Sequence, residues 1–209
     1  MAIKVIKKFE LSLNEKNVLK SECNILELCH HPNILKLHHI FNTRTHLYIV
    51  TEFLGEGDLF EYVKSNSFLE EYEAALIMKQ LVEVLKYFDE VGLIHRDLKP
   101  ENVMIIMNKE KSIVQKVKII DFGFGVYKNA LKGMDPKEKY AGTPGFIPPE
   151  IVNCEDFDES VDIFSLGVIL YFMLCGSLPF FSSFLEEIIE QTRQCNIVLK
   201  NAHWNNVSE

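Results

Sequence analysis

The sequence predicts an α+β fold, and three observations carry that prediction. Ala2-Ile3-Lys4-Val5-Ile6-Lys7 alternates like a short strand, and residues 35–41 and 47–53 continue the strand-like character. Residues 68–91 switch to a helical period, with Ala74, Ala75, Ile77, Met78, Leu81, Val84 and Leu85 on a broad apolar face. Finally, the most apolar run, residues 163–176, is too short to span a bilayer and follows Asp162 closely, so it reads as a buried helix. With 209 residues, 47% hydrophobic and 25% charged, the chain has material for one core or a two-lobed one.

Bulk properties narrow the partners. A net charge of -8 argues against nucleic acid or an anionic membrane, since neither rewards an acidic surface, and favours basic peptides. Cys23, Cys29, Cys154, Cys175 and Cys195 are scattered with no Cys-x-x-Cys pair, which reads as reduced thiols. Met1 leads at once into strand-like residues, with no signal peptide, so the expected location is cytoplasmic.

Between these segments the punctuation is readable. Residues 14–29 are helical, with Val18, Leu19, Cys23, Ile25, Leu26 and Leu28 as apolar positions, and His31-Pro32-Asn33 stops the helix. His30, His31, His38 and His39 invite a metal reading, but no Cys or carboxylate completes a set at ligand spacing. Asp58 suits a helix N-cap, and Gly92 ends the long helix. Residues 103–107 and 117–120 read as a hairpin joined through the polar Asn108-Lys109-Glu110-Lys111. Leu178-Pro179-Phe180 closes the apolar helix, and residues 184–194 form a surface helix whose Glu186, Glu187 and Glu190 read as a solvated face.

The chemistry concentrates in His95-Arg96-Asp97-Leu98-Lys99-Pro100-Glu101-Asn102. An Asp can orient a hydroxyl and take its proton, a Lys two residues on can neutralise a moving phosphoryl group, and an Asn five residues on can hold a divalent cation. That set suits phosphoryl transfer. Asp121-Phe122-Gly123 follows a strand downstream, and Gly142-Thr143-Pro144 leads to Pro148-Pro149-Glu150.

In this order the motifs resemble those of the eukaryotic protein kinase catalytic domain, of the Ser/Thr type by the Lys-Pro-Glu insert, and the resemblance spans nearly the whole chain. It implies a two-lobed kinase-like fold: residues 1–52 as a partial, β-rich small lobe and residues 53–209 as a mostly helical large lobe. ATP and Mg2+ are the implied cofactors, and basic proteins or peptides the implied substrates. The resemblance casts Asp97, Lys99 and Thr143 as catalytic, and Asn102 and Asp121 as metal ligands. Ala2, Lys4, Glu22, Thr51, Glu52, Leu54, Asp58 and Met104 would surround the nucleotide, with Lys4 paired to Glu22. Asp58 and Glu101 would read basic residues of the substrate, and Asp162 would hold the backbone of the catalytic loop.

Departures from the family pattern carry expectations of their own. No Ser or Thr lies between Phe124 and Ala141, and Lys139 stands where many kinases carry an activating phosphothreonine that pairs with the Arg before the catalytic Asp, here Arg96. The expectation is that Asp135 or Glu138 supplies the negative charge, or that the segment orders without one. The Gly-rich loop and the last helices of the family are not represented, which is expected of an incomplete record of a longer kinase or of a natural truncation. A long connection after residue 107 resembles the calcium-dependent group. The alternative reading is a catalytically silent kinase-fold module that only binds or scaffolds.

Overall fold

In the computed structural model, which describes residues 1–108, 110, 113–197, 199, 204 and 207–208, the alternating N-terminal segment is strand β1 (Ala2–Lys7). Helix α1 (Leu13–Leu28) starts one residue earlier than the apolar period suggests, because Ser12 and Glu15 form a capping box: Ser12 Oγ accepts from Glu15 N, and Glu15 accepts from Ser12 N at 2.8 Å. Strands β2 (Leu37–Asn42) and β3 (His46–Thr51) complete an antiparallel sheet of order β1-β3-β2. The first of these begins two residues later than expected, since Leu35 N already donates to Ile119 O, outside the sheet.

Helix α2 (Leu59–Asn66) is marked in the sequence only by the N-cap that Asp58 offers. Asp58 caps it by accepting from Glu61 N at 2.9 Å, and Leu59 and Val63, four apart, are its buried pair. Helix α3 (Glu71–Val91) starts three residues later than expected and buries Ala74, Ile77, Leu81, Val84 and Phe88. Gly92 ends it in the left-handed region at φ 71°. Strand β4 (Leu93–Ile94) leads through residues 95–99 and a 3-10 turn at Pro100–Asn102 into β5 (Val103–Asn108).

Its partner β6 (Ile113–Ile119) begins four residues before the expected 117, because pairing runs on through Met107 with Val114 and Asn108 with Ile113. The connection is therefore shorter than expected; Lys109 and Lys111 of it lie outside the described residues. Strand β7 (Val126–Tyr127) pairs with β4. Then come a 3-10 segment at Lys128–Gly133 and the helices α4 (Pro136–Lys139), α5 (Pro149–Val152), α6 (Ser160–Cys175) and α7 (Leu185–Gln194). No described helix is long and apolar enough to cross a membrane.

The main core is lined by α1, α2, α3, β5, β6 and α6, with Phe88, Phe122, Phe172 and Phe180 among its largest fully buried side chains. At the end of α6, Gly176 has φ 69°, and a Cβ there would lie 1.8 Å from the Ser67 carbonyl oxygen, so only glycine lets α6 pass the end of α2. The loop after α1 is grafted onto β6: Asn33 Nδ2 donates to Val117 O at 2.7 Å, and Ile119 N donates to Asn33 O at 2.8 Å. These bonds hold the N-terminal sheet and α1 against the remainder of the chain.

Candidate active site

Asp162 sits in the first turn of α6 at 2% exposure, in otherwise apolar surroundings. Its two carboxylate oxygens accept from His95 N at 2.7 Å and Arg96 N at 2.8 Å, which fixes the loop after β4, including Arg96 at a left-handed φ of 65°. Burial pushes the Asp162 carboxyl above its ordinary value, against the pull of His95 and the two N–H donors. Burial also pushes His95 below the ordinary histidine value, so its ring is neutral where it packs against Phe122, 5.1 Å between centroids.

On this footing Asp97 is presented, itself buried, to three partners. Thr143 donates its hydroxyl to Asp97 Oδ1 at 2.6 Å, Lys99 Nζ lies 3.0 Å from Asp97 Oδ2, and Lys99 Nζ donates to Thr143 Oγ1 at 2.8 Å. Asn102 Nδ2 donates to Asp97 O at 2.9 Å and to Asp97 Oδ2 at 3.2 Å. Thr143 reaches the site because Gly142, at φ 116°, passes where a Cβ would stand 2.5 Å from both Arg96 O and Ile147 Cγ2.

Asp121 lies just beyond β6 in a left-handed turn at φ 62°, with Oδ1 accepting from Gly123 N at 3.0 Å. Among the described residues, Asp121 Oδ2 and Asn102 Oδ1 accept no hydrogen bond. The other candidates fall in pairs. Lys4 Nζ is 3.2 Å from Glu22 Oε1, Ala2 pairs with Thr51 across the sheet, and Asp58 makes a bridge with Met104. Thr51 donates its hydroxyl to Glu52 O at 3.0 Å, while Leu54 is half-buried in the segment that follows. Glu101 is exposed on the 3-10 turn; no hydrogen bond or ion pair among the described residues joins it to Asp58, whose Oδ1 is engaged in capping α2.

One ion pair was not singled out from the sequence. Lys118, only 7% exposed, places Nζ 2.6 Å from Glu52 Oε1 and donates to Ile34 O at 3.1 Å, and Glu52 Oε1 also accepts from Lys36 N at 2.7 Å. A lysine in an alternating strand reads as a solvated side chain, and nothing nearby in sequence marks its partner.

Comparison with known proteins gives a match to the protein kinase domain over residues 1–209. The chain belongs to the protein kinase domain family. Myosin light chain kinase A of Dictyostelium discoideum is 36% identical over 208 residues, covering 100% of this chain and 68% of that protein. Serine/threonine-protein kinase SIK1 of Mus musculus is 37% identical over 86% of this chain and 22% of its own length. Calcium-dependent protein kinase 5 of Plasmodium falciparum is 38% identical over 100% of this chain and 35% of its own length. This kinase domain thus spans about two thirds of the first of these proteins, about a fifth of the second and about a third of the third, and its class is that of the Ser/Thr kinases.

In this kinase domain the segment between β7 and α5 is tied to Arg96 by hydrogen bonds to backbone carbonyls, with the Glu138 charge also acting on the guanidinium. Arg96 Nε donates to Phe124 O and Arg96 Nη1 to Glu138 O, both at 2.8 Å, with Met134 sulfur 3.5 Å from Nη1. It is the backbone carbonyl of Glu138, not its carboxylate, that accepts from the guanidinium, and Asp135 is used to cap α4 by accepting from Lys137 N at 2.8 Å. Lys139 Nζ pairs with Asp156 Oδ1 at 2.6 Å. The guanidinium therefore gives two of its donors to carbonyl oxygens, while the charges of Asp162 and Glu138 favour its protonated form against the cost of burial.

Proposed function

We propose that this chain is the catalytic part of a Ser/Thr protein kinase, moving the γ-phosphoryl group of ATP to Ser or Thr hydroxyls of basic proteins or peptides. The observation that carries the proposal is the closed contact set of Asp97, Lys99 and Thr143, with all three separations at 3.0 Å or less. In the reaction the acceptor oxygen forms a bond to the γ-phosphorus while the bond from that phosphorus to the β,γ-bridging oxygen breaks, and ADP departs with the electron pair. Asp97 orients the hydroxyl and takes its proton; Lys99 turns from Asp97 to the transferring phosphoryl oxygens; Thr143 keeps the substrate platform against Asp97.

Around the nucleotide, Lys4 held by Glu22 meets the α- and β-phosphates, and backbone groups of Glu52 and Leu54 meet adenine. Ala2, Thr51 and Met104 wall the base, and Asp58 meets the ribose. Asn102 and Asp121 hold Mg2+, which would supply positive charge to the phosphates. The donor set fits that ion: each residue has one hard oxygen left without a hydrogen-bond donor, and Mg2+ takes one or two protein oxygens plus phosphates and water rather than a full protein cage.

The reading divides the lobes near residue 52 and gives the enzyme a cytoplasmic setting. Asp58 and Glu101 supply the negative charge for Arg or Lys upstream of the acceptor. A peptide array with labelled ATP and Mg2+ tests it: label on Ser and Thr peptides, enriched for upstream Arg or Lys, is expected. An array without that enrichment contradicts the substrate preference, and no label at all, with no ATP binding, favours a silent binding module.

A further inference from the structure

A cleft of about 680 Å³ opens where the C-terminal end of α1, the loop after it, β2 and β6 meet. None of the candidate catalytic or metal-binding residues lines it. Its lining is mixed: Leu26, Leu35 and Leu37 give it apolar surface, and Lys36, Lys116 and His30 stand with them. The charges do not cancel. Lys118 is already neutralised by Glu52, and the one carboxylate in the lining is Glu27. Among the described residues neither Lys36 nor Lys116 has an acidic partner for its ammonium group, on a chain whose net charge is -8. His31 adds a donor: its Nδ1 accepts from Asn33 N at 3.1 Å, so Nε2 of the neutral ring carries the hydrogen.

We propose that this cleft binds an acidic peptide segment of a partner protein, with one apolar side chain seated on the leucines and flanking carboxylates paired with Lys36 and Lys116. The volume and the leucines of the mixed lining fit a short peptide better than a single small anion, which would leave the leucines uncovered. Charge complementarity selects the sign: an acidic segment is repelled by most of this chain and attracted here, which favours one register and one site.

The probe is a fluorescein-labelled Glu-Glu-Leu-Glu-Glu peptide titrated with the full chain and followed by fluorescence anisotropy. Saturable binding is expected, weakening as salt is raised. Lys36→Glu combined with Lys116→Glu is expected to weaken it more than tenfold, and Lys36→Glu alone, on an exposed side chain, more than threefold with an unchanged unfolding midpoint. Replacing the probe's Leu by Gly, or its Glu residues by Gln, should each cost binding as well. Absence of saturable binding overturns the proposal, as does equal affinity for the charge-reversed variants or for a probe with Lys in place of Glu.

Discussion

His95 is fully buried beneath the loop that it begins, and its neutral ring has a consequence for acid stability. Its proton affinity is lowered by burial, so as pH falls through the ordinary histidine value the unfolded chain takes up a proton that the folded chain refuses. Stability is therefore lost with falling pH. The unfolding midpoint is expected to drop between about pH 7 and pH 5.5, and a His95→Gln variant should show a shallower slope over that range; identical slopes would contradict this. Asp162 works in the opposite sense in more acid solution: its raised value means that the folded chain takes up a proton more readily than the unfolded one, so it does not contribute to the loss. At this scale the site was largely legible. Asp97, Lys99 and Asn102 lie within six residues, so a short motif holds their chemistry, and Thr143 and Asp162 were placed by motifs of their own. Lys118 was not legible, because its partner Glu52 is remote in sequence and its burial depends on the graft of the α1 loop onto β6.

Among the elements, the segment from Phe124 to Tyr140 shows how order is obtained without a phosphorylatable Ser or Thr at Lys139. Two contacts compete for the credit. The Lys139 pair with Asp156 is exposed on the Asp side, at 94%, and exposed pairs contribute about 0–1 kcal/mol. Arg96 is itself half-buried and makes two charge-assisted bonds, to the carbonyls of the exposed Phe124 and Glu138, a class of bond worth about 1.5–3 kcal/mol. Arg96 therefore dominates. Lys139→Ala is expected to change the phosphotransfer rate less than threefold, Arg96→Leu to reduce it more than tenfold, and phosphatase treatment to leave it unchanged. Activity appearing only after phosphorylation by a second kinase would contradict this order. α3 and α6 declare themselves by long apolar patterns, whereas α2 is only two turns long and only its capping Asp58 marks it in the sequence. The start of β6 was missed because Gln115 and Lys116 interrupt the apolar pattern that pairing with β5 continues.

For the whole molecule, the N-terminal sheet and the helical remainder are joined by Asn33 against β6 and by the pair of Lys118 with Glu52. The second joint matters for function, since the backbone of Glu52 is the proposed adenine contact. Lys118→Met leaves the Glu52 carboxylate without its cation and is expected to destabilise the fold by about 3 kcal/mol, the low end for a broken buried pair because Glu52 keeps some contact with water. It should also raise KM for ATP more than it lowers kcat, and Glu52→Gln added to it should recover part of the stability. The fold class needed only patterns along the chain; this joint needed three dimensions. The most direct test of the catalytic claim is the single-turnover rate of phosphoryl transfer to a Ser peptide, with ATP affinity measured in parallel, for the chain and its Asp97→Asn variant. The account predicts similar ATP affinity and a rate lower by about 10²–10⁴-fold in the variant. Equal rates, or ATP binding with no transfer by either protein, would contradict it.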